Sequence, residues 1–153
     1  MTEHLNLKQN QNLMLIAKNF DEEAVIQTLC QLRDEGLPVQ LVGLTTGLKS
    51  GFHGIHVRPD TTVAQVVEKT IKLHSLIIAG GEECSSILLS DPRVFELMKK
   101  TFAQGGYVAS MSPIAEGILT NVAPDYDIES QLLTAPNGRF DEVVNYVINQ
   151  AAT

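Results

Sequence analysis

The chain has 153 residues, 44% of them hydrophobic and 19% charged, which suits one globular domain burying roughly two thirds of its unfolded surface. A net charge of -7 with no Lys/Arg cluster argues against nucleic acid or an anionic membrane as the main partner, because both need a basic footprint. No apolar run approaches the roughly 20 residues of a membrane span, and the polar N-terminus lacks the features of a signal peptide.

Cys30 and Cys84 have no CxxC spacing and read as reduced thiols, so a cytoplasmic protein is expected. With no Trp and 5% aromatics, stacking platforms for bases are not expected either.

Residues 1–11 read as a loose tail and 12–153 as a single domain. Leu13 to Ala17 is a continuous apolar run, as in a strand covered on both faces. Asp21, Glu22 and Glu23 suit a first helical turn, which the helix dipole makes favourable for acids and which solvent would cover. Val25, Ile26, Leu29, Cys30 and Leu32 follow at helical spacing, and Gly36 is a good C-terminal stop. Val39 to Leu44 is a second strand, opened by Pro38.

Thr45 to Gly54 reads as a Gly-rich loop and Ile55 to Val57 as a short strand. The segment Gly43 to Ser50 fails the spacing of a phosphate loop, because Lys49 does not directly follow the second glycine and a strand comes next. Asp60, Thr61 and Thr62 can each cap a helix carrying Val63, Val66, Val67 and Ile71. His74 flanks the next strand, Leu76 to Ala79, and reads as a helix-end cap; that strand ends in Gly80-Gly81. A short helix runs from Cys84 to Leu89, and Asp91-Pro92 starts a longer one with Val94, Leu97, Met98, Thr101 and Phe102 on its inner stripe. Tyr107 to Met111 is a strand and Pro113 to Leu119 a helix; a weaker strand centres on Leu132-Leu133. Asn137-Gly138 is a turn, and Val143, Val144, Val147, Ile148 and Ala151 mark a last amphipathic helix. Alternation throughout predicts a doubly wound α/β domain with a mostly parallel sheet.

The stretch from Tyr107 to Leu119 organises the functional question. A strand that turns at once into a helix lifts one side chain, Ser112, at the carboxyl edge of the sheet, as a nucleophile elbow does. Ser112 before Pro113 is equally a good helix start, and losing such a cap costs about 1 kcal/mol.

Leu15-Ile16-Ala17-Lys18, Gly36 before Val39, Pro59-Asp60, Ala79-Gly80-Gly81 and the Ser112 elbow fall in an ordered set. Over Leu13 to Leu119 and the last helix, that set resembles the ThiJ/PfpI family of the class I glutamine-amidotransferase-like superfamily. The resemblance implies a flavodoxin-like three-layer α/β/α sandwich, a homodimer, and an elbow cysteine assisted by a first-helix acid and a later histidine. Carried onto this chain, the elbow cysteine is Ser112, the acid position is Ala24 (Glu23 after a one-residue slip), and no histidine follows His74. Pro113-Ile114-Ala115 stands where the family commonly has Ala-Gly-Pro.

A serine hydroxyl needs a base to act as a nucleophile. The expectation is therefore a catalytically degenerate member that binds a small molecule or a protein partner at the elbow pocket formed by Gly80, Gly81, Met111, Ser112, Pro113 and Cys84. The alternative is a Ser112-dependent hydrolase or lyase acting on a small carbonyl, ester or amide, with Gly81 amides as oxyanion donors and Glu23 or Glu116 as base. Cys84 near a helix start can be a reactive thiolate or a small buried residue. His53 and His56 have a spacing that can bind metal but no Cys or acid beside them to complete a set, so no metal or cofactor is expected.

Overall fold

The computed structural model describes residues 10–69, 71–111, 132–134 and 140–151. The described strands are β1 (Asn10–Ile16), β2 (Val39–Gly43), β3 (Lys49–Ser50), β4 (His56–Val57), β5 (Thr61–Thr62), β6 (Lys72–Ile78), β7 (Tyr107–Ser110) and β8 (Leu132–Thr134). The described helices are α1 (Glu22–Asp34), α2 (Val63–Glu68), α3 (Glu82–Leu88), α4 (Pro92–Ala103) and α5 (Phe140–Ala151).

Six strands form a parallel sheet in the order β5-β2-β1-β6-β7-β8. The centre is the most apolar part: Leu13 to Ile16 of β1 and Leu76 to Ile78 of β6 are fully buried and pair Leu13 with Leu76, Met14 with Ile77 and Leu15 with Ile78. Such runs need helices on both faces. α1 packs against α5 and α2 against α4. The right-handed crossover rule puts α1, which links β1 to β2, on the face opposite α4, which links β6 to β7. The result is a flavodoxin-like α/β sandwich.

Local chemistry sets the element ends. Asp21 caps α1 by accepting from the Ala24 amide at 3.2 Å. Of the three candidate caps for α2, Thr62 does the work, in a reciprocal capping box with Gln65. That helix stops at Glu68, short of Ile71. β6 begins earlier than its apolar run, at Lys72, because polar residues inside the sheet find partners there. Ser75 donates to the Asn12 side chain at 2.6 Å, and Asn12 donates to the Pro38 carbonyl at 3.1 Å. His74 lies within β6 and stands edge-on to Tyr107 at 5.7 Å; it is a strand residue and no helix cap.

From β1 the chain first moves to β2 and β5 on one side, then returns to β6 on the other. The carboxyl ends of β1 and β6 therefore flank the switch point, where open α/β sheets bind ligands. The segments Ala17–Asp21 and Ala79–Gly81 leave the sheet there.

Candidate functional site

β1 exits through Asn19, whose φ of 63° is left-handed and which is a residue type that tolerates it. The chain then turns back so that the Asp21 amide donates to the Gly80 carbonyl at 3.0 Å, tying the exits of β1 and β6 together. Gly81 follows with φ 108°, and a Cβ there would lie 2.7 Å from the Asn19 carbonyl oxygen. Only glycine allows the two loops to meet this closely.

The loop expected between Thr45 and Gly54 contains β3, which pairs antiparallel with β4 to make a small hairpin. Its tip is laced to the β1–α1 turn. The Asn19 amide donates to the Ser50 carbonyl at 2.8 Å and the Phe52 amide to the Phe20 carbonyl at 2.9 Å.

The strongest tie is Glu22, the first residue of α1, whose side chain is only 3% exposed. Its carboxylate accepts from the His53 amide at 2.6 Å, the His53 ring Nδ1 at 3.0 Å and the Ile55 amide at 3.2 Å. A carboxylate can only accept, so the proton on that ring nitrogen is the donor. Burial pushes the Glu22 carboxyl upward. Hydrogen bonds from its own amide, the His53 ring, the Ile55 amide and the His53 amide together outweigh that and bring it down to about 2. Gly51 leaves the room, since a Cβ there would overlap the Glu22 carboxyl. Glu22 is therefore not part of a solvated turn, as its place beside Glu23 suggests. Sequence spacing carries no hint that a hairpin thirty residues downstream folds over it.

The site residues expected from sequence are distributed as follows. Gly80 and Met111 lie side by side, with a Gly80 Cβ position 3.2 Å from the Met111 Cβ; the Met111 amide donates to Ile78 at 3.0 Å. Cys84, in the first turn of α3, is fully buried and accepts from the Ala17 amide at 3.3 Å. Burial pushes its thiol up to about 12, against the smaller opposing effect of the Ala17 amide. Ala24 is buried at 3% exposure, whereas Glu23 is exposed and accepts from the Gln27 side chain at 3.2 Å. Ser112, Pro113 and Glu116 lie outside the described residues.

His53 is bound to Glu22, and His56 lies exposed on β4. Among the described residues no group of three or more His, Cys, Asp or Glu side chains comes together to hold a metal ion. No helix among them is long and apolar enough to cross a membrane.

A fully buried thiol held near 12 is not a thiolate at any ordinary pH. Alkylation of the native protein at mildly alkaline pH should thus modify exposed Cys30 and leave Cys84 untouched until denaturant is added. Peptide mass mapping of the labelled protein checks this, and early labelling of Cys84 would refute its burial.

Sheet order, switch point and the paired Gly-Gly exit define an α/β protein of the flavodoxin-like class with its candidate site at the β1/β6 edge. Residues 11–124 match the model of the DJ-1/PfpI family, and the chain belongs to that family. Among curated proteins it is 28% identical over 99 residues to Deglycase PfpI of Pyrococcus furiosus, a match covering 65% of this chain and 58% of that one. It is 29% identical over 99 residues to an uncharacterized protein of Archaeoglobus fulgidus, covering 65% and 57%. The chain thus spans somewhat under three fifths of the length of these relatives.

Among solved structures, Drosophila melanogaster DJ-1beta superposes with a TM-score of 0.76 at 18% identity, covering 95% of this chain and 92% of that one. A ThiJ/PfpI domain protein from Brachyspira murdochii gives 0.73 at 16% identity, covering 95% and 98%. At such identities the likeness speaks for the fold.

Proposed function

We propose that this chain is a non-catalytic, cytoplasmic member of the DJ-1/PfpI family that binds a small molecule or a protein partner at the pocket of Gly80, Gly81, Met111 and Ser112. The observation that carries this reading is the first turn of α1. In a gapless match to the family its acid falls on Ala24, which is buried, and Glu23, which a one-residue slip would offer instead, accepts from the Gln27 side chain. Cys84, the thiol nearest the sheet edge, is protonated and enclosed, and so offers no substitute nucleophile.

A second reading is favoured by the name of the Pyrococcus furiosus relative, a deglycase. It makes Ser112 the nucleophile of a hydrolase or lyase on a small carbonyl, ester or amide, with Gly81 amides as oxyanion donors. A screen of esterase, glyoxalase and deglycase substrates separates the two. The expected result is no turnover above background. Turnover that falls about a hundredfold or more in Ser112→Ala would establish the second reading.

The protein is further proposed to be a homodimer. Supporting this are the exposed apolar side chains Ile26 of α1 and Ile55 at the hairpin, 40% and 54% accessible. Ile26 sits one helical turn beyond Glu22, whose carboxylate accepts from the Ile55 amide. Light scattering should give a dimer mass that Ile55→Asp reduces to the monomer; a monomeric parent protein would refute the proposal.

A further inference from the structure

At the exits of β1 and β6 lies a cleft of about 520 Å³ lined by Asn19, Phe52, Glu82, Glu83, Ser86 and Ile87. We propose that it binds a small organic cation, an amine or guanidinium on an apolar stem. The cavity forms where the hairpin tip leans toward α3 across the exit of β1, at the switch point of the sheet. This proposal does not depend on whether Ser112 is catalytic, since Ser112 is not needed for any contact in it.

Three independent features fix the charge and shape of the ligand. The first is the wall. The Phe52 ring is 73% exposed, although burying such a ring is worth roughly 1.5–3 kcal/mol. It stands there because its segment is fastened from below: its own amide bonds the Phe20 carbonyl, and Glu22 grips the two neighbouring amides at His53 and Ile55. The His53 ring stands nearly at right angles to the Phe52 ring, centroids 5.3 Å apart, and the rest of the exposed Phe52 ring is a surface for a cation at the cavity.

The second is the facing side. Glu82 and Glu83 belong to α3, and neither carboxylate forms an ion pair with any described cation. Asn19, in its left-handed backbone conformation, donates from its side-chain amide to Glu83 and so turns that carboxylate toward the cleft it lines.

The third is the remaining lining. Ile87 gives an apolar strip for the stem, and Ser86 a hydroxyl. Two carboxylates are too few for a divalent metal, which takes about six oxygen ligands. An anion would meet both carboxylates directly. The chain's charge of -7 also raises the local concentration of cations.

The test is titration of the full chain by calorimetry and amide chemical shifts, at low ionic strength, with butylguanidinium, the neutral 1-pentanol and the anion butyrate. Butylguanidinium should bind and shift residues 19, 52, 83 and 86; pentanol and butyrate should not bind at the same concentrations. Glu82→Gln with Glu83→Gln should weaken butylguanidinium roughly tenfold, two partly exposed charge contacts being lost. Phe52→Leu, which keeps an apolar wall but removes the π face, should weaken it about threefold.

Thermal melts of both variants confirm that they remain folded, and the altered groups are exposed, so loss of binding is not loss of structure. N-acetylarginine amide distinguishes the source: affinity equal to butylguanidinium assigns the site to an arginine side chain of a peptide, and no affinity assigns it to a free cation. The proposal is overturned if pentanol binds as well as butylguanidinium, if the double variant retains full affinity, or if millimolar butylguanidinium produces neither heat nor shifts.

Discussion

Glu22→Gln should detach the β3–β4 hairpin from α1 and remove an acid-dependent part of the protein's stability. The carboxylate holds two amides and a ring nitrogen from the segment His53 to Ile55 in a place where water hardly reaches. A carboxamide of the same size offers one acceptor oxygen, and its NH2 group faces donors it cannot satisfy. Amide exchange at His53 and Ile55 should accelerate roughly tenfold or more at neutral pH, with the central strands β1 and β6 unaffected.

The pH dependence has a definite sign. Glu22 lies at about 2 in the folded protein against 4.5 for the free group, so the unfolded chain binds the extra proton between those values. Its contribution is present above 4.5 and is lost as pH falls toward 2. Urea midpoints of the parent protein should drop across that window more steeply than those of Glu22→Gln. Unchanged exchange at His53 and Ile55, with identical acid profiles, would mean the latch is not holding the hairpin. Gly51→Ala should reproduce both effects, since its Cβ displaces the carboxylate from the donors that lower its pKa, and a carboxyl with its free pKa in the folded protein adds no acid dependence.

The fold was legible in the sequence because it rests on local patterns. Leu13 to Ala17 and Leu76 to Ala79 are apolar without a break, and a run buried on both faces has little choice but a central parallel strand. Asp91-Pro92 and Gly36 mark helix ends through groups within a few residues of one another. Gly80-Gly81 was legible as a special exit for the same reason.

The cleft was not legible. Phe52 reads as a loop residue and Glu22 as one of three solvated acids, and both acquire their roles only when the hairpin crosses the β1–α1 turn. That crossing joins residues about thirty positions apart by backbone amides, whose partners leave no mark in side-chain type. Cys84 shows the converse. Its place near a helix start leaves a reactive thiolate and a small buried residue both open; that helix start lies beneath the β1 exit, and burial decides for the second.

Gly81→Ala should be the most damaging single-methyl change in the described part of the site. Two costs add. A φ of 108° is a conformation L side chains rarely adopt, worth about 1–3 kcal/mol. The new Cβ would also sit 2.7 Å from the Asn19 carbonyl oxygen, 3.3 Å from the Asp21 nitrogen and 3.4 Å from the Phe20 Cα, all of them backbone. No side chain can rotate away to relieve those contacts, so the β1–α1 turn itself must move.

Gly47→Ala isolates the first cost. Its φ is 96°, and nothing lies within 4 Å of its Cβ position. Urea unfolding should therefore show Gly47→Ala lowering stability by about 1 kcal/mol and Gly81→Ala by about 3 kcal/mol, with the m-value unchanged in both. Equal losses would show that the two loop exits do not meet as closely as the 2.7 Å approach requires. The functional consequence follows from the same geometry. Asn19 orients Glu83, and its backbone is what the new methyl would push, so Gly81→Ala should also abolish the binding of butylguanidinium that Gly47→Ala retains.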